Sequence, residues 1–183
     1  MTIELARAAR LLAESDVLVG AAACSAATAR VAGEIGAVMA GDAPLVLAVM
    51  GGATVFAGHL LPLLAFPLEF DYIHVSRYGD KTQGGQLRWK VEPSAHVRDR
   101  TVLVLDDILD EGETMAEIKR RVLELGATRV YCAVFCEKLI TKAKPIKADF
   151  VGITVPDRYV FGYGMDVSGL WRNLPAVHAV KGM

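Results

Sequence analysis

The chain has 183 residues, enough for one domain with a sizeable core, and is 53% hydrophobic and 22% charged, the balance of a compact globular protein. With 20 basic against 21 acidic residues the net charge is −1, so no global field draws it to nucleic acid or a membrane surface. No apolar run reaches the ~18 residues of a membrane span, and the 3 cysteines close no disulfide framework, so a cytoplasmic protein with buried, inert thiols is expected.

The opening stretch MTIELARAARLLAESD has helical spacing with charges throughout, without a signal peptide's apolar centre. ATARVAGEIGAVMAG follows as a helix, with Val31, Ile35 and Val38 predicted on one face. PLVLAV (44–49) reads as a buried strand ending at Gly51-Gly52. TVFAGHLLPLLAF reads as the next helix, stopped or kinked near Pro62. DYIHVS (71–76) is a strand, RYGDKTQGGQ (77–86) a polar, glycine-bearing loop, and LRWKV a strand leaving it. RTVLVL (100–105) is a buried strand, and TMAEIKRRVLELG a helix ending at Gly126. RVYCAVF (129–135) and FVGIT (150–154) complete the strands. On a strand, Cys132 and Cys136 share a face, at a spacing unlike a zinc site; His59, His74, His96 and His178 match no metal spacing either. There is no repeat or linker. The pattern predicts α/β architecture: a mostly parallel twisted sheet flanked by helices, with ligands at the carboxyl ends of its strands.

The segment VLVLDDILDEGETM holds the chemistry. After Leu105, Asp106, Asp107, Asp110, Glu111 and Glu113 crowd together at the mouth of a buried strand. A tight turn from Asp110 to Thr114 around Gly112 leads into a helix whose first N–H groups lack partners within the helix and carry partial positive charge. Such a turn cradles phosphate; the Thr114 hydroxyl adds a donor and Gly112 allows close backbone approach. Asp106 and Asp107 can accept from sugar hydroxyls that also hold Mg²⁺, an ion that takes few protein carboxylates. The plainer reading is helix capping by Asp110, with Glu111 and Glu113 favouring the dipole. Capping leaves the adjacent Asp-Asp pair unexplained.

VLVLDDILDEGET resembles the phosphoribosyl-pyrophosphate signature of type I phosphoribosyltransferases, and residues 44–172 are similar to bacterial hypoxanthine-guanine phosphoribosyltransferases. KADFVGITVPDRYVFGYGMD carries the 6-oxopurine part of the likeness. The resemblance implies one domain over 1–183, with a lid at about 77–90, which includes Arg77 and Tyr78, and a purine hood at about 155–173. It implies Mg-dependent transfer of a phosphoribosyl group from phosphoribosyl pyrophosphate to hypoxanthine or guanine, by a homodimer or homotetramer. By the same likeness Asp106 and Asp107 contact ribose and share the metal with Asp166. Asp110 is the general base near purine N7, and residues Asp110, Glu111, Gly112, Glu113 and Thr114 hold the 5′-phosphate. Met50, Gly51, Gly52 and Arg172 meet pyrophosphate; in the family that loop often has a cis peptide. Lys138 reaches the 6-oxo group, Tyr159 stacks on the base, and the Val160 backbone reads its edge.

Three positions depart from the commoner pattern: Glu111 for Thr, Arg77-Tyr78 for Ser-Tyr, and Met50 for Lys. Each residue also has a bland reading. Lys138 is one of four lysines in EKLITKAKPIK, Tyr159 can be core, Asp166 a cap, Arg172 a surface cation, Met50 core, and Gly51-Gly52 a strand end; Trp89 is expected to pack. Lys138 offers donors alone, so it suits a 6-oxo group and not the 6-amino group of adenine. Two other readings share the fold: a nucleotide-sensing regulator, and a phosphoribosyltransferase for another base.

Overall fold

The computed structural model describes residues 5–78 and 86–182, excluding the side chains of Arg77, Tyr78 and Gln86. In chain order the helices and strands are α1 (Leu5–Ala13), β1 (Asp16–Val19), α2 (Ala21–Met39), β2 (Leu45–Met50), α3 (Thr54–Leu60), β3 (Glu69–Tyr78), β4 (Gln86–Val91), β5 (Thr101–Leu109), α4 (Glu113–Glu124), β6 (Arg129–Leu139), β7 (Phe150–Pro156), β8 (Val160–Phe161) and β9 (Val177–Ala179). Six strands form one sheet in the order β4-β3-β2-β5-β6-β7. All neighbours run parallel except the β3–β4 pair. A second sheet, β1-β9-β8, is antiparallel.

The central strands read as unbroken apolar runs because both sheet faces are covered. Side chains alternate between them. Val46, Ala48, Leu103, Leu105, Ala133 and Phe135 pack with Ile35, Phe56 and Leu60 of α2 and α3. Leu45, Leu47, Val102, Val104, Cys132 and Val134 pack with Met115, Ile118 and Val122 of α4. Trp89 packs against this second cluster, as expected. Pro62 falls in the 3-10 turn Leu61–Leu63 that ends α3, which matches the predicted stop.

Several expectations need correction. The buried stripe of α2 steps from Val31 and Ile35 to Met39; Val38 is 51% exposed, one residue off the 3.6-residue period. Cys132 lies under α4, whereas Cys136 packs in the opposite cluster, so the two thiols share no layer. Burial pushes both up to about 12, which keeps them protonated and unreactive. Arg77, Tyr78 and residues 86–90 lie on β3 and β4, so the predicted loop is narrower than 77–86. Residues 79–85 of the expected lid, and the side chains of Arg77 and Tyr78, lie outside the described residues. β5 continues four residues past Leu105, and β6 four past Phe135. Each supports the other: Asp106 pairs with Val134, Ile108 with Cys136, and Leu109 with Glu137. The small sheet was missed because β8 and β9 are too short to show a period.

Where β6 meets β7, backbone contact is tight. A Cβ on Gly152 would stand 2.5 Å from the Phe135 carbonyl oxygen. The Phe135 ring cannot retreat freely, its centroid lying 4.0 Å from that of the tilted Tyr163 ring. Gly152→Ala is therefore expected to destabilise the protein by about 1–3 kcal/mol, read as a lower urea midpoint at unchanged m-value.

Candidate active site

The site forms where β2, β5 and β6 end together at one edge of the sheet. Asp106 and Asp107 are on β5 itself, with Asp106 8% exposed. The Asp107 N–H donates to Asp106 Oδ1 at 2.9 Å, and the Ile108 N–H to Asp107 Oδ1 at 2.8 Å. These bonds hold the side chains beside their own backbone. Burial, and after it the Asp107 charge, push the Asp106 carboxyl well above the usual carboxylate range. Burial also raises Asp107, against the opposing contact with Asp106 and the charge of Arg172. The pair holds a shared proton more tightly than two isolated carboxylates.

After Leu109 the chain turns at Gly112, whose φ of 84° is left-handed and suits glycine. Gly112 is also the N-cap residue of α4, and no side chain caps the helix. Asp110 is thus not the cap. Its carboxylate accepts from Lys138 Nζ at 2.8 Å. The Lys138 side chain is 12% exposed and sits on β6, not beyond it. Lys142 approaches Glu113 at 3.6 Å and Glu111 at 3.9 Å.

Two cavities open here. One, of about 350 Å³, is lined by Asp106 through Gly112, with Thr114 and Met115. The other, of about 210 Å³, is lined by Asp107, Ile108, Asp110, Lys138, Tyr159, Val160, Met165 and Asp166. Asp107, Ile108 and Asp110 line both, so the cavities adjoin. The first pairs a helix start with carboxylates. The second is a slot with one cation, one exposed aromatic ring and apolar walls; Tyr159 is 41% exposed and not core.

The β2 turn closes the near side. The Met50–Gly51 peptide is cis. Met50 packs against the core, and its sulfur accepts from Thr54 Oγ1 at 3.3 Å. A Cβ on Gly52 would fall 2.0 Å from Asp107 Oδ2, so this turn touches the acid pair. On the far side Arg172 donates to the Gly164 carbonyl at 2.6 Å, pairs with Asp166, and stands 3.8 Å from Asp107. Asp166 also accepts from the Gly169 N–H at 2.6 Å. The hood is anchored beneath by Tyr163, whose hydroxyl meets Thr28 Oγ1 at 2.9 Å.

The structure therefore brings together Met50–Gly52, Asp106–Thr114, Lys138, Tyr159, Val160, Asp166 and Arg172. Ile108 and Met165, apolar walls of the base-sized slot, were missed by sequence reading. Ile108 carried no usable signal, because the alternation of β5 breaks after Asp107: Ile108 packs with the layer of Leu103 and Leu105, and Leu109 with that of Val102 and Val104. Met165 carried none.

The phosphoribosyl transferase domain family matches residues 9–168. The chain is 33% identical over 139 residues to the hypoxanthine-guanine phosphoribosyltransferase of Bacillus subtilis, covering 75% of this chain and 77% of that protein. It is 35% identical over 149 residues to the bifunctional protein TilS/HprT of Listeria innocua; the match covers 81% of this chain but 23% of that relative's length. A crystal structure of a Bacillus anthracis hypoxanthine-guanine phosphoribosyltransferase superimposes with a TM-score of 0.84 at 26% identity, over 90% of this chain and 98% of the other.

The acid pair has a measurable cost. Between the ordinary aspartate range near pH ~4 and its raised folded value, Asp106 holds a proton that the unfolded chain has released. Stability then falls as pH rises through that window. Asp106→Asn removes the titration. It should raise stability near pH ~8 by roughly 1 kcal/mol, as when strain at a functional site is relieved, and the gain should shrink towards pH ~4. Urea midpoints across that range provide the check.

Proposed function

We propose a purine-salvage reaction for this chain, which belongs to the phosphoribosyl transferase family: transfer of the 5-phosphoribosyl group from phosphoribosyl pyrophosphate to hypoxanthine or guanine, giving the nucleotide and pyrophosphate. The observation that carries this reading is the Lys138–Asp110 pair, 2.8 Å apart on the wall of a base-sized slot. A 6-oxopurine presents a carbonyl acceptor next to N7. An ammonium beside a carboxylate matches that edge, the lysine donating to the oxygen and the aspartate taking the N7 proton. Adenine presents an amino group to the ammonium, two donors with no acceptor between them. Tyr159 covers the ring face, and the Val160 backbone reads the remaining edge.

The adjoining cavity suits the sugar phosphate. The turn from Asp110 to Thr114 offers backbone N–H groups at a helix start to the 5′-phosphate. Asp106 and Asp107 accept from the ribose hydroxyls and stabilise positive character that builds on the ring as the leaving group departs. The Met50–Gly52 turn and Arg172 lie on either side of Asp107 and meet pyrophosphate. Because Asp166 and Arg172 pair directly, the diphosphate competes with Asp166 for the guanidinium.

Mg²⁺ fits this donor set. Asp106, Asp107 and Asp166 offer hard oxygen ligands; the first two are buried, and the nearby Arg172 guanidinium offsets their charge only in part. Among the described residues no group of three or more His, Cys, Asp or Glu is placed to hold a metal ion by itself, so Mg²⁺ would need most of its oxygens from the substrate. Mg²⁺ supplies charge stabilisation on the departing pyrophosphate. No helix among the described residues is long and apolar enough to cross a membrane. Assembly as a dimer or tetramer belongs to the proposal.

Incubation with phosphoribosyl pyrophosphate, Mg²⁺ and, separately, hypoxanthine, guanine, xanthine, adenine and uracil should yield nucleotide with the 6-oxopurines and not with adenine or uracil. Turnover of adenine or uracil in preference to these would overturn the base assignment, and turnover undiminished by a chelator would remove the metal. Asp110→Asn should lower kcat by roughly 10²–10⁴-fold with little change in the KM for phosphoribosyl pyrophosphate. Lys138→Ala should raise the KM for the base far more than that for the sugar phosphate; equal losses would place Lys138 outside the slot.

A further inference from the structure

Lys144 lines neither cavity, yet its ammonium bonds the backbone of Leu109 and Lys138, which do. It lies in the connection between β6 and β7, with its side chain 11% exposed. An ammonium has three N–H donors. Here they go to the Leu109 carbonyl at 2.9 Å, the Lys138 carbonyl at 2.7 Å and Glu137 Oε1 at 3.1 Å. The carbonyls belong to the last residue of β5 and the penultimate residue of β6. Where a parallel ladder runs out, its terminal carbonyls need other partners, and this ammonium bridges the two strands there.

The tie matters because of what comes next. One residue past Leu109 is Asp110, and Lys138 is itself the other bridged residue. Their side chains meet at 2.8 Å. The same segment backs the phosphate turn, since a Cβ on Gly112 would lie 3.4 Å from Lys144 Cβ and 3.4 Å from Pro145 Cδ. An ion pair with Glu137 alone needs neither carbonyl contact.

We infer that Lys144 is a positioning residue: by tying the ends of β5 and β6 it sets the spacing between Asp110 and Lys138, and through it the fit of the purine edge. This rests on the purine-transfer reading above.

The test is a double-mutant cycle on the full chain, with the base that the wild type turns over best. Lys144→Met should lower kcat/KM for the base by roughly 10–100-fold, the usual size of losing an outer-shell partner. The KM for phosphoribosyl pyrophosphate should move less than about 3-fold and the protein should still show a cooperative melt. Added to Lys138→Ala, the same substitution should cost less than about 3-fold, because the group it positions is gone. Glu137→Gln, which leaves both carbonyl bonds in place, should stay near wild type. Equal losses in both backgrounds, wild-type kinetics for Lys144→Met, or a Glu137→Gln defect as large as that of Lys144→Met would overturn the inference while leaving the purine reading intact. A wild type that forms no nucleotide overturns both. If Lys144→Met does not fold, Lys144→Gln, with two donors and no charge, carries the same cycle under the same outcomes.

Discussion

Two adjacent carboxylates buried at the end of one strand are the constraint on which the site depends. Asp106 and Asp107 stand on β5, where burial disfavours charge on both and the Asp107 charge disfavours it further on Asp106. A fold has no reason to keep such a pair for its own stability, since apolar residues of like size are commonly as good or better in the interior. The pair makes sense as half of an interaction completed by something polar and cationic from outside. The surroundings are built to that end: Gly52 has no side chain because Asp107 occupies its space, and Gly164 has none because the Gly52 carbonyl lies 2.1 Å from where its Cβ would be. The glycines of two distant segments exist so that backbone can close around one carboxylate.

The parallel sheet explains why so many chemical groups meet. β2, β5 and β6 run in the same direction, so their carboxyl ends form one edge. The turn after β2, the acid pair and turn after β5, and the lysine near the end of β6 face one another without any long-range coordination in the sequence. The small antiparallel sheet then carries Val160 over this edge, with Tyr163 fixing it from below against Phe135 and Thr28. The two cavities share Asp107, Ile108 and Asp110, so the proposed base and sugar-phosphate sites are neighbours.

Most of the sheet was legible because buried parallel strands are short apolar runs bounded by turns, a signal that one sequence displays directly. The acid segment misled for a physical reason. Carboxylates ordinarily end a buried strand, and so the strand was expected to stop at Leu105; it continues to Leu109 because the ladder with β6 satisfies its backbone whatever the side chains are. Lys138 was placed beyond its strand by the same habit. The partners of Lys144 were illegible: two are backbone carbonyls, which leave no mark in composition or spacing. The pairing of Arg172 with Asp166 was equally hidden, since each alone reads as an ordinary surface charge.

An acidic turn that receives a phosphate looks contradictory until each charge is assigned. Asp110 is held by Lys138, Glu111 and Glu113 lie near Lys142, and Asp166 is held by Arg172. The exposed pairs are weak in energy, but they offset part of the negative charge beside the turn. What the turn then presents to a phosphate is the start of α4, with Gly112 as its cap residue and no side chain occupying the capping position. A side-chain oxygen there would take the N–H groups that the phosphate requires. With glycine at the cap position the helix forgoes a stabilising side-chain cap, which suits the phosphate contact proposed at its start.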